Sequence, residues 1–117
     1  MIVRSFDPQE FLRVAGSLVS QDTSEASLRT AVGRIYYAVF LTARETLGVS
    51  GRSRIHGRVI GELRRRDRYA GGQLEKLEGL RVVADYQLDV HSAFAVDWQR
   101  NYQMARRLAN FVLGRLQ

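Results

Sequence analysis

Leu28 to Gly48 reads LRTAVGRIYYAVFLTARETLG, and this stretch decides the fold. Leu28, Val32, Ile35, Val39 and Thr42 recur at helical spacing on one face, while Tyr36, Phe40, Ala43 and Leu47 recur on a second. A helix apolar on two faces packs on several neighbours at once, so the segment predicts the central helix of an all-α domain. The preceding DTSE supplies a start, with Asp22 as the expected cap and Glu25 three residues on, and Gly48 supplies the stop. Arg29 and Arg34 interrupt the apolar pattern and require solvent or an acidic partner. Tyr36 and Tyr37 are adjacent and diverge by about a quarter turn or more, so one hydroxyl is expected at the bundle edge or against a partner subunit.

Outward from that helix the pattern stays helical. In SFDPQEF, Asp7 caps, Pro8 suits the first helical position, Glu10 returns a capping-box bond, and Phe6 and Phe11 form a hydrophobic staple. Phe11, Leu12, Ala15, Leu18 and Val19 then form one stripe. After the loop VSGRSRIHGR, with Ser53 as a possible cap, Ile55, Val59 and Leu63 mark a short third helix. YAGG, Tyr69 to Gly72, reads as a break. A fourth helix carries Leu74, Leu77, Leu80 or Arg81, and Ala84, and Tyr86 to Val90 reads as a helix end passing into an extended loop. The last helix, roughly Ala93 to Leu116, has a seam of Trp98, Tyr102, Ala105, Ala109, Val112 and Leu116. The expectation is one domain over residues 1–117, an antiparallel up-and-down bundle of four to five helices.

Composition removes several classes of chemistry. The chain has no cysteine, which excludes disulfides, thiolate metal sites and a cysteine nucleophile. A di-metal carboxylate site in a bundle needs Glu three residues before His, but Ser53 precedes His56 and Leu88 precedes His91, so no metal site is expected. No Gly-rich phosphate loop is present, and no cofactor is expected. The apolar runs are too short for a bilayer and MIVRSFDPQE lacks a signal peptide's apolar core, so a cytoplasmic protein without membrane contact is expected. The net charge is +6, and Lys76 is the only lysine. An arginine excess suits phosphate recognition, since guanidinium binds phosphate with two parallel donors, although a GC-rich genome yields the same bias.

Arg81 is the sharpest candidate for a site. It lies in LRVVADYQLDVH, Leu80 to His91, with Asp85 one turn on to hold its guanidinium and Tyr86 beside that. A structural ion pair explains the same spacing. The run Arg64-Arg65-Arg66-Asp67-Arg68 is a solvated helix end or, with Arg52, Arg54 and Arg58 nearby, a phosphate-binding ridge; Arg34, Arg54, His56, Arg58, Arg64 and Arg65 are the candidate phosphate- or nucleic-acid-binding residues, and His56 sits among arginines that disfavour its protonation.

Three stretches together, LRTAVGRIYYAVFLTARETLG, IHGRVIGELRRR and LRVVADYQL, resemble the HEPN domains, specifically a small stand-alone prokaryotic group with RxYYAxF and RxxADY motifs. The first motif falls on Arg34 to Phe40 and the second on Arg81 to Tyr86. The resemblance implies a bundle of about five helices, usually a homodimer, in a toxin–antitoxin or defence role, often beside a minimal nucleotidyltransferase partner. It also implies RNA or nucleotide as ligand, because many members are metal-independent endoribonucleases. In those, a histidine takes the proton from a ribose 2′-hydroxyl while an arginine stabilises the attacked phosphate. Arg81 matches the family arginine, but the positions that should hold histidine carry Tyr86, Gln87 and Leu88. Tyrosine, with an ordinary pKa near 10, is a poor base at neutral pH. The resulting expectation is a binding or interaction module with its usual base missing. The alternative is an active ribonuclease in which His91 or His56 substitutes.

Overall fold

Five helices make up the regular structure of residues 5–87 and 97–117, the part of the chain that the computed structural model describes. They are α1 (Glu10–Gln21), α2 (Glu25–Leu47), α3 (Ile55–Arg66), α4 (Arg68–Tyr86) and α5 (Trp98–Leu116), with no strand among the described residues. The result is the expected helical bundle, and α2 is its axis, packing against all four other helices. Both apolar faces of α2 are buried, from Leu28 and Val32 on one to Tyr36, Phe40 and Ala43 on the other. None of the described helices is long and apolar enough to cross a membrane.

The helix starts follow simple donor chemistry, with corrections to the expected caps. Ser24, not Asp22, caps α2: its hydroxyl accepts from the Ser27 backbone N–H at 3.2 Å. Asp22 braces that cap by accepting from the Ser24 backbone N–H and from the hydroxyls of Ser27 and Ser24, which together hold its carboxyl below the usual range. Asp7 accepts from the Gln9 N–H at 3.0 Å, but Pro8 and Gln9 form a tight turn and the α-helix begins at Glu10. Glu10 pairs with Arg13 rather than closing a capping box, while the Phe6 and Phe11 rings meet edge-on at 5.1 Å as the staple requires. Gly48 ends α2 at φ 67°, a left-handed turn that glycine enters without a Cβ clash.

The sharpest departure is at YAGG, which lies inside α4 instead of breaking the chain. The break is two residues before that stretch, at Asp67, which ends α3 and caps α4 through its carboxylate on the Ala70 N–H. Gly71 is there for packing: a Cβ at that position would lie 2.5 Å from Arg64 Cα. The glycine lets the two arms of the α3–α4 hairpin touch backbone to side-chain stub. Tyr86 is likewise the last helical residue of α4 and Gln87 alone is extended; Leu88 to Val90, His91 and the expected α5 start at Ala93 lie outside the described residues. Asp97 caps α5, and its seam of Trp98, Tyr102, Ala105, Ala109 and Val112 is buried, with Leu116 packed at its edge.

Neighbouring helices pair mostly antiparallel. α4 meets α5 head to tail through Asp67–Arg115 at 2.7 Å and Tyr69–Phe111 at 5.1 Å. α2 meets α4 in the same opposed sense: Arg29, near the α2 start, donates to the Val83 carbonyl and to the Gln87 carbonyl at the α4 end. Arg29 also lies over the Trp98 ring at 4.9 Å, so one guanidinium ties together α2, the end of α4 and the start of α5.

Candidate functional site

Arg81 is buried, only 9% exposed, on the inner face of α4. Its two terminal nitrogens donate to Asp85 and Glu78, each at 3.4 Å, one turn to either side on the same helix. The expected Asp85 pairing is therefore present, and Glu78, three residues before Arg81, is a partner that the sequence reading passed over. The guanidinium lies 5.1 Å from the Tyr36 ring and 5.8 Å from the Tyr37 ring, both on α2. Two carboxylates and two aromatic faces thus compensate one buried cation, the condition a buried charge must meet. Asp85 is also close to α2, 3.6 Å from where a Cβ on Gly33 would stand.

His56 reaches this cluster from a different element. Arg44 donates to the carbonyls of Val49 and Gly51, folding the loop after α2 back on itself so that α3 begins beside the middle of α2. Arg54, at φ 53°, sits in the left-handed region at the N-cap, where Ser53 had been the expected cap and where no side chain takes that role. The next residues place His56 flat on Phe40, with ring centres 4.3 Å apart, and its Nδ1 shares a 2.5 Å hydrogen bond with the buried Tyr36 hydroxyl.

These surroundings set both protonation states. Burial lowers the His56 pKa, the Arg81 charge lowers it further, and Glu78 opposes them, so the ring is neutral at pH 7. Burial raises the Tyr36 pKa, reinforced by Glu78 and opposed by Arg81, so its hydroxyl keeps its proton. When Tyr36 donates to Nδ1, His56 Nε2 carries a hydrogen and acts as a donor; when Nδ1 donates to Tyr36, Nε2 is free to accept. Only the second tautomer is a base.

The structure brings Arg81, Asp85 and His56 together, with Arg34 at the edge of the same cluster: its guanidinium lies 5.2 Å from the Phe11 ring and 5.8 Å from the Tyr37 ring. Tyr86 is 71% exposed on the outer side of α4, away from this cluster, and His91 lies outside the described residues. Arg54 and Arg58 adjoin His56 at the start of α3. Arg58 donates to the Ser53 carbonyl, and neither it nor Arg54 nor Arg34 meets a carboxylate among the described residues. Arg64 and Arg65 are elsewhere, eight and nine residues further along α3 than His56, which is about 12–14 Å. Arg64 pairs with Glu75, while Arg65 and Arg66 share Glu62 and hold its carboxyl down at about 2. Arg64, Arg65 and Arg66 thus each meet a carboxylate, whereas Arg54 and Arg58 do not among the described residues.

Among the described residues no group of histidine, aspartate and glutamate side chains has metal-binding geometry. Compared with known proteins, the chain matches no family model, no curated protein and no solved structure.

Proposed function

We propose that the chain is a HEPN-like module of a toxin–antitoxin or defence system that binds RNA or nucleotide phosphate without cleaving it. The observation that carries this reading is the start of α3. Its first turn has no side-chain cap, and Arg54 and Arg58 stand beside a neutral His56 with no ion-pair partner of their own among the described residues. An open helix N-terminus flanked by unpaired guanidiniums attracts phosphate. Arg81 is a poorer ligand, since an incoming phosphate would have to compete with Glu78 and Asp85. In this reading Arg81 positions Tyr36 and Tyr37, and through Tyr36 the imidazole of His56. The exposed Val82 and Tyr86, four residues apart on α4, support a homodimer through that helix face, and a minimal nucleotidyltransferase is the proposed partner chain in the cytoplasm.

Fluorescence anisotropy with labelled RNA tests the proposal. Arg54→Ala and Arg58→Ala should each weaken binding and reduce the slope of log affinity against log salt by about 1. Wild-type slope in both variants would remove the α3 site. A second reading, metal-independent cleavage, is favoured by one feature: Tyr36 links Arg81 to a neutral His56. If wild type cleaves RNA in EDTA and His56→Ala and Arg81→Ala abolish it, the enzyme reading wins. No cleavage by wild type leaves the binding module.

A further inference from the structure

Away from the α3 start, the first turns of α4 carry a groove of about 380 Å³ lined by Arg68, Tyr69, Gly72, Gln73 and Lys76. That volume falls within the range of small-molecule clefts, roughly 300–1,000 Å³. Tyr69 is 61% exposed although it is a large aromatic, and its ring is steadied by an edge contact with Phe111 of α5. Phe111 is covered in turn by Arg115 at 5.3 Å. One turn after Tyr69, Gly72 leaves the floor flat, with nothing within 4 Å of where its Cβ would stand. Arg68 and Lys76 bracket the ring, about 12 Å apart along the helix, and neither forms an ion pair among the described residues. The nearby carboxylates are committed: Asp67 to Arg115 and the Ala70 N–H, Glu75 to Arg64.

We propose that this groove is a separate platform for single-stranded nucleic acid, in which a base stacks on Tyr69 and the flanking phosphates are held by Arg68 and Lys76. The chemistry favours such a ligand over an apolar one, because an exposed π-face between two free cations suits a base joined to anions on both sides. It also favours single strands over duplex, since paired bases offer no free face. Tyr69 lies thirteen residues before Val82 and roughly 140° round α4 from it, so the platform is distinct from the face assigned to self-association.

Anisotropy with a short labelled oligouridylate and the full chain decides the matter. Tyr69→Ala should weaken binding roughly five- to hundredfold, the effect of losing one base–aromatic stack. Tyr69→Phe, which keeps the ring and its Phe111 contact, should bind like wild type, and unchanged circular dichroism shows that both variants fold. Arg68→Ala and Lys76→Ala should each flatten the salt dependence by about 1. The same RNA annealed into a duplex should bind less tightly and ignore Tyr69→Ala. Wild-type affinity in Tyr69→Ala, or no binding of single strands by wild type, overturns the platform. So does conversion of a wild-type dimer to monomer by Tyr69→Ala, which would assign the groove to a second copy of the chain. Arg58→Ala measured alongside separates the two sites: loss there with Tyr69→Ala unaffected leaves only the α3 site, and the reverse leaves only this one.

Discussion

Two adjacent glycines in one helix should respond to alanine with opposite signs. Gly71 and Gly72 both lie within α4, where replacing glycine by alanine ordinarily stabilises by about 1 kcal/mol through backbone entropy. At Gly72 the new methyl meets nothing within 4 Å, so the full gain should appear. At Gly71 the methyl would fall 2.5 Å from Arg64 Cα, 2.6 Å from its Cβ and 2.7 Å from its backbone nitrogen. These atoms belong to the α3 stub, not to a flexible chain end, so the hairpin itself must open by most of an ångström. Overpacking of this kind costs about 1–3 kcal/mol, and a rigid neighbour puts Gly71 near the top of that range. Subtracting the propensity gain leaves Gly71→Ala destabilised by roughly 1–2 kcal/mol. Gly72→Ala should be more stable than wild type by about 0.5–1 kcal/mol. Urea unfolding followed by far-ultraviolet circular dichroism measures both, and an unchanged slope would confirm that only stability moved. For a domain of this size each kcal/mol corresponds to a melting shift of roughly 3–6 °C. A neutral or stabilising Gly71→Ala would refute the backbone-contact argument, as would two variants that shift in the same direction.

Three other outcomes follow from particular contacts. His56 titrates below its ordinary 6.5 because of burial and the Arg81 charge, so folding disfavours its protonated form. Its contribution to stability should be complete above pH 6.5 and fall as pH drops through the lower folded value; His56→Phe, which keeps the stack on Phe40, should lack that step in urea midpoints between pH 7.5 and pH 5. Arg29→Ala removes the donors to the Val83 and Gln87 carbonyls and the stack on Trp98, and should cost about 1–3 kcal/mol, with faster amide exchange confined first to the α4 end. Val82→Asp together with Tyr86→Lys should give a monomer by sedimentation where wild type is a dimer, while a monomeric wild type would remove the proposed interface.

Much of the fold was legible because helices announce themselves locally. The two apolar faces of α2, the Gly48 stop, the Phe6–Phe11 staple and the α5 seam all depend on residues within one or two turns of each other. Glycine is where local reading failed. In isolation Gly71-Gly72 signals a break, since two glycines cost backbone entropy in any helix. Only the approach of Arg64 from the neighbouring helix explains why Gly71 is tolerated there, and that approach is a tertiary fact. The caps failed more mildly, by one or two residues, because Asp22 and Ser24 both offer oxygen to the same cluster of donors and the spacing alone does not rank them.

The site divides along the same line. Asp85 could be paired with Arg81 from the sequence because both ride one helix, and Glu78 obeys the same rule on the other side. His56 could not, being twenty-five residues upstream and brought in by a loop. That loop is held by the Arg44 bonds to Val49 and Gly51 and by a left-handed Arg54, none of which carries a periodic signal. The consequence bears on function. A search for a histidine near Arg81 in sequence finds only His91, whereas among the described residues it is the His56 imidazole that Arg81 acts on through space. Its geometry, however, is that of a held group. Nδ1 is engaged by Tyr36, one ring face is covered by Phe40, and Arg81 is itself balanced by two carboxylates. A catalytic pair would need the arginine's charge turned toward a substrate phosphate. Here that charge is met inside the bundle, whereas Arg54 and Arg58, at the exposed start of α3, meet no carboxylate among the described residues. The proposal of binding without cleavage rests on that division of charge.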